Sequence, residues 1–305
     1  MNKEIRPMLC ADGSLKDLQR QGFAGEWKFD GTRLLIIKEQ GVVTLQNRYG
    51  IDYTKRLPEI VDAANNVPGD FKIDSEAVFV NSVTGKIEFT PCQRRCATSD
   101  WVKVHYLKDK FPIVAKGFDL LELNGANLVD WPYLKRKDEL CKLLNSAKQQ
   151  TIHYVHHRFD LEQFFNQVKQ QQEEGIILKK TDSPYTETPN SNKRPYDWFK
   201  IKNWRFEVCN VVGYTQGKNA RSGLFGALVL IDKEGKFKGC VGSGPNDWEL
   251  RKIKDILDDS PQIPKPFLID EPYTAVKTNL RVEIKYYQLT DNKIMRFPIF
   301  VRCAN

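Results

Sequence analysis

Long apolar runs are missing from this chain of 305 residues. No stretch approaches the roughly 20 apolar residues that a membrane span requires. The opening Met1-Asn2-Lys3-Glu4-Ile5-Arg6-Pro7 lacks the apolar core of a secretory signal, so neither export nor membrane insertion is expected. A cysteine framework is lacking too. Seven cysteines, an odd number, are scattered at positions 10, 92, 96, 141, 209, 240 and 303, which points to reduced thiols in the cytoplasm. Cys92 and Cys96 stand closest, without the second cysteine or histidine pair that a zinc site needs. Histidine is scarce, four in all, and His153, His156 and His157 share one segment with no ligand motif beside them. Repeats and low-complexity tracts are absent as well.

What is present is charge, 28% of the residues, with 47 Lys+Arg against 39 Asp+Glu for a net +8. From Arg205 to Asn305 there are 16 basic and 12 acidic residues, leaving 31 and 27 before them. The surplus is thus shared by both parts of the chain, as expected if both touch one polyanion. The 41% hydrophobic fraction is enough for two packed domains.

Texture divides the chain near Asn203. Before it, strand-like runs mix with helices. Leu34–Ile37 and Val42–Leu45, separated by Glu39-Gln40-Gly41, read as a hairpin. Arg136 to Leu144 and Asp160 to Gln171 have helical spacing; in the second, Leu161, Phe164, Phe165 and Val168 form one face and Asp160 is placed to cap. Ser183 to Tyr196 reads as an exposed loop. After Asn203, short strands recur with glycine punctuation, at Glu207 to Tyr214, Gly226 to Asp232, Phe237 to Gly242 and Leu280 to Leu289, interrupted by one helix, Asp247 to Asp258. That pattern predicts a small all-β barrel.

Chemistry concentrates around Gly25-Glu26-Trp27-Lys28-Phe29-Asp30-Gly31-Thr32-Arg33. On a strand, Glu26, Lys28 and Asp30 would share one face, with Trp27 and Phe29 turned to the core behind it. Asp74 and Glu76 share a face in the same way, as do Lys200 and Lys202, while Glu174-Gly175 opens the run Ile176-Ile177-Leu178-Lys179. Each pair alone reads more readily as a solvated strand edge. Together they supply what a lysine nucleophile acting on a nucleotide phosphate needs. A lysine attacks only when neutral, so its pKa must fall from about 10.4; nearby cations lower it and carboxylates alone raise it. Lys200, Lys202 and a divalent metal on Glu76 and Glu174 could also stabilise charge building on an α-phosphate.

In this order the segments resemble the covalent nucleotidyltransferases, and within them the ATP-dependent DNA ligases. Glu26 to Arg33 looks like the nucleophile motif and Asn47-Arg48-Tyr49-Gly50 like the arginine-glycine motif after it. Asp74-Ser75-Glu76, Phe118-Asp119-Leu120-Leu121, Glu174 to Lys179 and Trp198 to Lys202 are similar to the four that follow. Val211 to Thr215, Gly226 to Leu230, Val241 to Gly244, Val282 to Lys285 and Arg296 to Phe300 resemble the barrel that follows in bacterial end-joining ligases. Arg6-Pro7-Met8-Leu9 resembles the start of such a ligase domain.

The resemblance implies an α+β nucleotidyltransferase domain over 1–203, ATP-grasp-like with antiparallel sheets and flanking helices, and an OB-fold β-barrel over 204–305. It implies a monomer that binds ATP, Mg2+ (or Mn2+) and nicked double-stranded DNA, in the cytoplasm or inside a viral host cell. Lys28 becomes the AMP-bearing nucleophile, assisted by Asp30. Glu26 would read the adenine edge and Phe118 stack on the base. Arg33 and Arg48 would meet ribose or phosphates, Glu76 the ribose or the metal and Glu174 the metal. Lys179, Lys200 and Lys202 would bind the nucleotide, the last two at its α-phosphate. Three departures stand out. Ser75 replaces the usual glycine, an exchange expected to be tolerated. The final arginine-x-aspartate-lysine motif is missing, with Arg296 or Arg302 as candidate substitutes. Only 27 residues precede the nucleophile, so duplex grip is expected from phosphate contacts of the two domains, weakening steeply with salt. An RNA ligase or an mRNA capping guanylyltransferase would share the lysine motif; a non-catalytic OB-type nucleic-acid-binding protein would share the charge and the barrel.

Overall fold

The computed structural model describes residues 6–188, 194–290 and 292–304. The chain forms two compact units, Met1–Lys202 and Asn203–Asn305. The strands of the first are β1 (Ala11–Asp12), β2 (Phe23–Trp27), β3 (Thr32–Glu39), β4 (Val42–Asn47), β5 (Phe71–Phe79) and β6 (Ile113–Leu123). They continue with β7 (Ala126–Asn127), β8 (Ile152–Tyr154), β9 (His157–Arg158), β10 (Gly175–Lys180) and β11 (Trp198–Lys202). Its helices are α1 (Pro58–Asn65), α2 (Phe89–Ala97), α3 (Trp101–Lys110), α4 (Tyr133–Asn145) and α5 (Leu161–Gln171).

Two largely antiparallel sheets result. One runs β4-β3-β5-β6-β7, with β8 parallel to β6; the other runs β1-β11-β10-β2-β9. The β3–β4 hairpin closes through Gln40 and Gly41, both at positive φ (50° and 76°), because a two-residue turn must match the twist of its strands. Alternation along each strand sets the layers. Leu34 and Ile36 of β3, with Ile73 and Ala77 of β5, point to α1, α2 and α4. Ile176 and Leu178 of β10, with Phe199 and Ile201 of β11, point to α5, where Phe164 is fully buried; a side chain of that kind stabilises by about 1.5–3 kcal/mol. The inner faces meet across Leu35, Ile37, Phe118, Leu121 and Trp198.

Three expectations need correcting. Asp160 sits at the start of α5, but its carboxylate makes no capping bond and instead pairs with Arg158 two residues back, at 2.9 Å from Nε. The loop from Ser183 is not uniformly exposed: Ser183, Tyr185 and Thr188 are buried, because the Tyr185 hydroxyl reaches Asp74 at 2.6 Å. Residues 189–193 of that loop lie outside the described residues. The strand through Glu26 ends at Trp27, so Trp27 and Phe29 do not share one core; Trp27 packs on Phe164 and Phe29 against the cluster between the sheets.

The second unit contains β12 (Arg205–Gln216), β13 (Phe225–Ile231), β14 (Phe237–Val241), α6 (Asp247–Asp258), β15 (Tyr273–Ala275), β16 (Arg281–Tyr286) and β17 (Ile299–Cys303). They form one antiparallel sheet ordered β14-β13-β12-β16-β17. Strand β12 pairs with β16 through its first half and with β15 through its second, so one long strand serves two neighbours on the same edge. Leu250, Ile253 and Leu257 of α6 enter the core of this sheet. Asn246 and Glu249 cap that helix reciprocally, which fixes its start. All seven cysteines are free, and among the described residues no helix is long and apolar enough to cross a membrane.

Candidate active site

Register builds the site. Across β2, β10 and β11, Glu26 lies opposite Ile177 and Ile177 opposite Lys200; Lys179 lies opposite Trp198, and Gly175 opposite Lys202. The Lys28 amide donates to the Gly175 carbonyl at 3.0 Å, continuing the pairing one step beyond β2. Cross-strand neighbours point the same way, so Glu26, Lys28, Lys179, Lys200 and Lys202 share one face, the one turned to the other sheet. Residues 28–31 then cross to β3 of that sheet. Lys28 therefore sits where the chain passes between layers.

Two glycines permit the approach. A Cβ on Gly31 would lie 2.3 Å from the Ala77 carbonyl oxygen and 2.9 Å from the Glu76 side chain. Gly175, at φ 149°, would bring a Cβ within 2.1 Å of the Ile201 carbonyl oxygen. The Asp-Gly pair thus marks a close crossing rather than a hairpin turn. A Gly31→Ala protein is expected to lose about 1–3 kcal/mol of stability through overpacking and to misplace Lys28; urea unfolding together with nucleotide labelling checks both.

The carboxylate that meets Lys28 is neither of its strand neighbours. Glu174 takes the Lys28 amine at 2.5 Å, and its other oxygen is buried with no hydrogen-bond partner. Burial alone would lower the lysine's pKa, but Glu174, with Glu76 and Cys10, outweighs it and raises it. Burial lifts the Glu174 carboxyl above its usual range despite Lys28, and Asp30 adds to the lift. Glu76 is pushed up to about 8, chiefly by burial against the pull of Arg33 and Lys28. Lys202 is lowered by burial, with Lys28 and Lys200 adding to the effect against Glu174. Lys200 bonds Asp12 at 3.0 Å.

Glu26 is sealed at 2% exposure. One oxygen accepts from the Tyr133 hydroxyl at 2.6 Å and Lys137 at 2.7 Å, and the other from Lys179 at 2.7 Å. Burial would raise its pKa, but the two lysines hold it below the ordinary value. Lys179 also lies 4.0 Å from the Trp198 ring centre and 4.4 Å from that of Phe118, whose ring carries the Arg33 guanidinium at 4.6 Å. Arg33 forks onto Asp74, with Nε at 2.5 Å, and reaches the Met8 carbonyl. The Ser75 hydroxyl, where the resemblance expects glycine, donates to the Leu34 carbonyl at 2.6 Å and is accommodated. Arg48 is exposed in the turn after β4, its guanidinium against the Tyr49 ring, and makes its contacts there.

Lys137, Tyr133 and Tyr185 escaped the sequence reading. Lys137 carried a faint signal, as a lysine within the apolar stripe of a helix; the two tyrosines carried none.

Glu174 and Glu76 are the side chains that could offer oxygen ligands to a cation. One Glu174 oxygen is buried with no hydrogen-bond partner, so it is free to accept a further positive group. Among the described residues no three acidic, histidine or cysteine side chains converge as a cage.

Two antiparallel layers closing on one lysine amid acidic and basic groups define a nucleotidyltransferase-type domain. The family model of the ATP-dependent DNA ligase domain matches residues 7–202, and the chain belongs to that family. The multifunctional non-homologous end joining DNA repair protein LigD of Mycobacterium tuberculosis is 30% identical over 302 residues, 96% of this chain and 37% of that protein. A probable DNA ligase of Dictyoglomus thermophilum is 28% identical over 294 residues, 90% of this chain and 49% of its own. The chain therefore spans less than half the length of these curated relatives. The solved ligase domain of Mycobacterium tuberculosis LigD superposes at TM-score 0.58 with 27% identity, covering 98% of this chain and 95% of that one. A structure from a study of Lig E DNA ligases, 17% identical at TM-score 0.69 over 97% and 99% of the two chains, shares the fold.

Proposed function

We propose that this chain is an ATP-dependent DNA ligase that seals nicks in duplex DNA through a lysyl-AMP formed on Lys28. One observation carries the reading: the Lys28 amine is held by a carboxylate on the face where Lys179, Lys200 and Lys202 also lie. Lys28 attacks the α-phosphorus of ATP, forming a P–N bond as the bond to pyrophosphate breaks. A 5′-phosphate oxygen of DNA then takes the AMP and frees the amine. The adjacent 3′-hydroxyl attacks that 5′-phosphorus, and AMP leaves.

The chain's own groups divide this work. Lys200 and Lys202 neutralise charge on the α-phosphate. Asp30, close enough to Glu174 to raise its pKa, assists at the amine. Phe118 stacks on adenine and Glu26 reads its edge while anchoring Lys179; Arg33, Arg48 and Glu76 address ribose and phosphates. Glu174 and Glu76 would hold Mg2+ or Mn2+, which when bound supplies Lewis-acid stabilisation of phosphate oxygens.

Residues 1–203 act as the adenylation domain and 204–305 as an OB-fold. The strand order and the helix between β14 and β16 support the barrel assignment. The partner is nicked duplex DNA, bound by a monomer inside the cell.

Incubation with α-labelled ATP and Mg2+, followed by denaturing electrophoresis, tests the reading. Label on the protein from ATP and not from GTP is expected; none from either sinks the assignment, and label from GTP alone indicates a capping enzyme. Lys200→Ala and Lys202→Ala should cut label transfer by about 100-fold, as loss of a charge-stabilising donor does, with nicked-DNA affinity changed less than threefold. Equal loss of both contradicts the role.

A further inference from the structure

Helix α3 carries an aromatic face that the fold leaves uncovered. Val104 and Leu107 are its buried side, and Asp100 caps its start by accepting the Lys103 amide at 2.9 Å. On the opposite side Trp101, Val102 and Tyr106 are 72%, 67% and 63% exposed. At 3.6 residues per turn these three and His105 fall within an arc of about 140°. The His105 ring lies 4.5 Å from that of Trp101, tilted 44°, and its Nδ1 is 2.9 Å from the Trp101 carbonyl oxygen. The first turn therefore presents a fixed aromatic pair with Tyr106 one turn on. Lys103, Lys108 and Lys110 border this arc, and Asp109, an anion on the arc, lies in the last turn.

A large aromatic surface held in water costs free energy that packing elsewhere could have recovered. We propose that this face is a stacking platform for an unpaired DNA tail, the kind of strand a broken end presents. The proposal rests on the reading of the chain as a DNA ligase. Bases have π-faces that stack on aromatic rings without regard to sequence, and flanking lysines meet the phosphates between them. Three lysines to one carboxylate on and beside the arc favour a polyanion over a protein surface of mixed charge.

Fluorescence anisotropy of the whole chain with a labelled twelve-nucleotide oligothymidylate, alongside a blunt hairpin duplex, tests this. Trp101→Ala is expected to weaken oligothymidylate binding about tenfold, in line with loss of one stacked base. Trp101→Ala with Tyr106→Ala should weaken it further, and Trp101→Phe should restore most of it. Duplex affinity and AMP labelling should stay within about twofold of wild type throughout. Lys103→Glu alters an exposed side chain and leaves the core intact. It should weaken the same binding, and its failure to do so, or oligothymidylate affinity unchanged in the double variant, overturns the proposal and leaves the face to a protein partner. A wild-type chain that binds the oligonucleotide through Trp101 but takes no AMP refutes the ligase reading alone.

Discussion

A Lys28→Ala protein is expected to take up no label from α-labelled ATP and to seal no ordinary nick, yet to close a nick whose 5′-phosphate already carries AMP. Only the first chemical step needs the amine as nucleophile; the last needs the groups that face the phosphate, and these are untouched by the substitution. The loss should exceed about 1,000-fold, because the reading gives attack on the phosphorus to Lys28 alone, while Lys179 and Lys200 on the same face are engaged by Glu26 and Asp12. In the wild-type protein, label uptake should climb with pH. Burial would make Lys28 easier to deprotonate, but Glu174, Glu76 and Cys10 outweigh it and keep the amine charged at neutral pH. With the pKa raised, the neutral fraction grows about tenfold for each pH unit below it. Uptake that falls from pH 7 to 9 would contradict a charged resting lysine.

The second large effect belongs to Glu26. Glu26→Ala removes the acceptor shared by Lys137, Lys179 and Tyr133 and leaves two buried ammonium groups without their counter-ion. Breaking a buried pair from one side costs about 3–5 kcal/mol. In a domain of this size each kcal/mol lowers Tm by about 2–4 °C, so a fall of roughly 10 °C is expected in a circular-dichroism melt. Glu26→Gln keeps the shape and part of the bonding and should fall by less. A melt within about 2 °C of wild type for Glu26→Ala would mean that water already reaches the cluster in solution.

These two residues also show what the sequence could and could not disclose. Lys28 was nominated by the ordered series of short segments around it, and the Gln40-Gly41 turn and helix α6 were legible because their signals are local. The partner of Lys28 was not. Strand alternation nominated Glu26 and Asp30, but the strand stops at Trp27 and the chain crosses to the other sheet, so the carboxylate that arrives is Glu174, 146 residues further on. Tyr185 escaped for the same reason. Its segment is polar and proline-bearing and reads as solvent-facing, whereas the hydroxyl is drawn inward by Asp74, 111 residues away. Arg48 illustrates the converse: a motif nominated it, and this conformation leaves it on the neighbouring tyrosine.

A short tether joined to both β-layers has a mechanical meaning. Residues 28–31 belong to neither sheet, are anchored at the Gly175 carbonyl on one side and crowded against Ala77 on the other, and leave no slack. Any slip of one layer over the other must carry the amine with it. The reach of the Lys28 amine is thereby governed by how firmly Phe118, Leu35 and Trp198 grip one another, so the fit of an oily seam dictates the aim of that nitrogen.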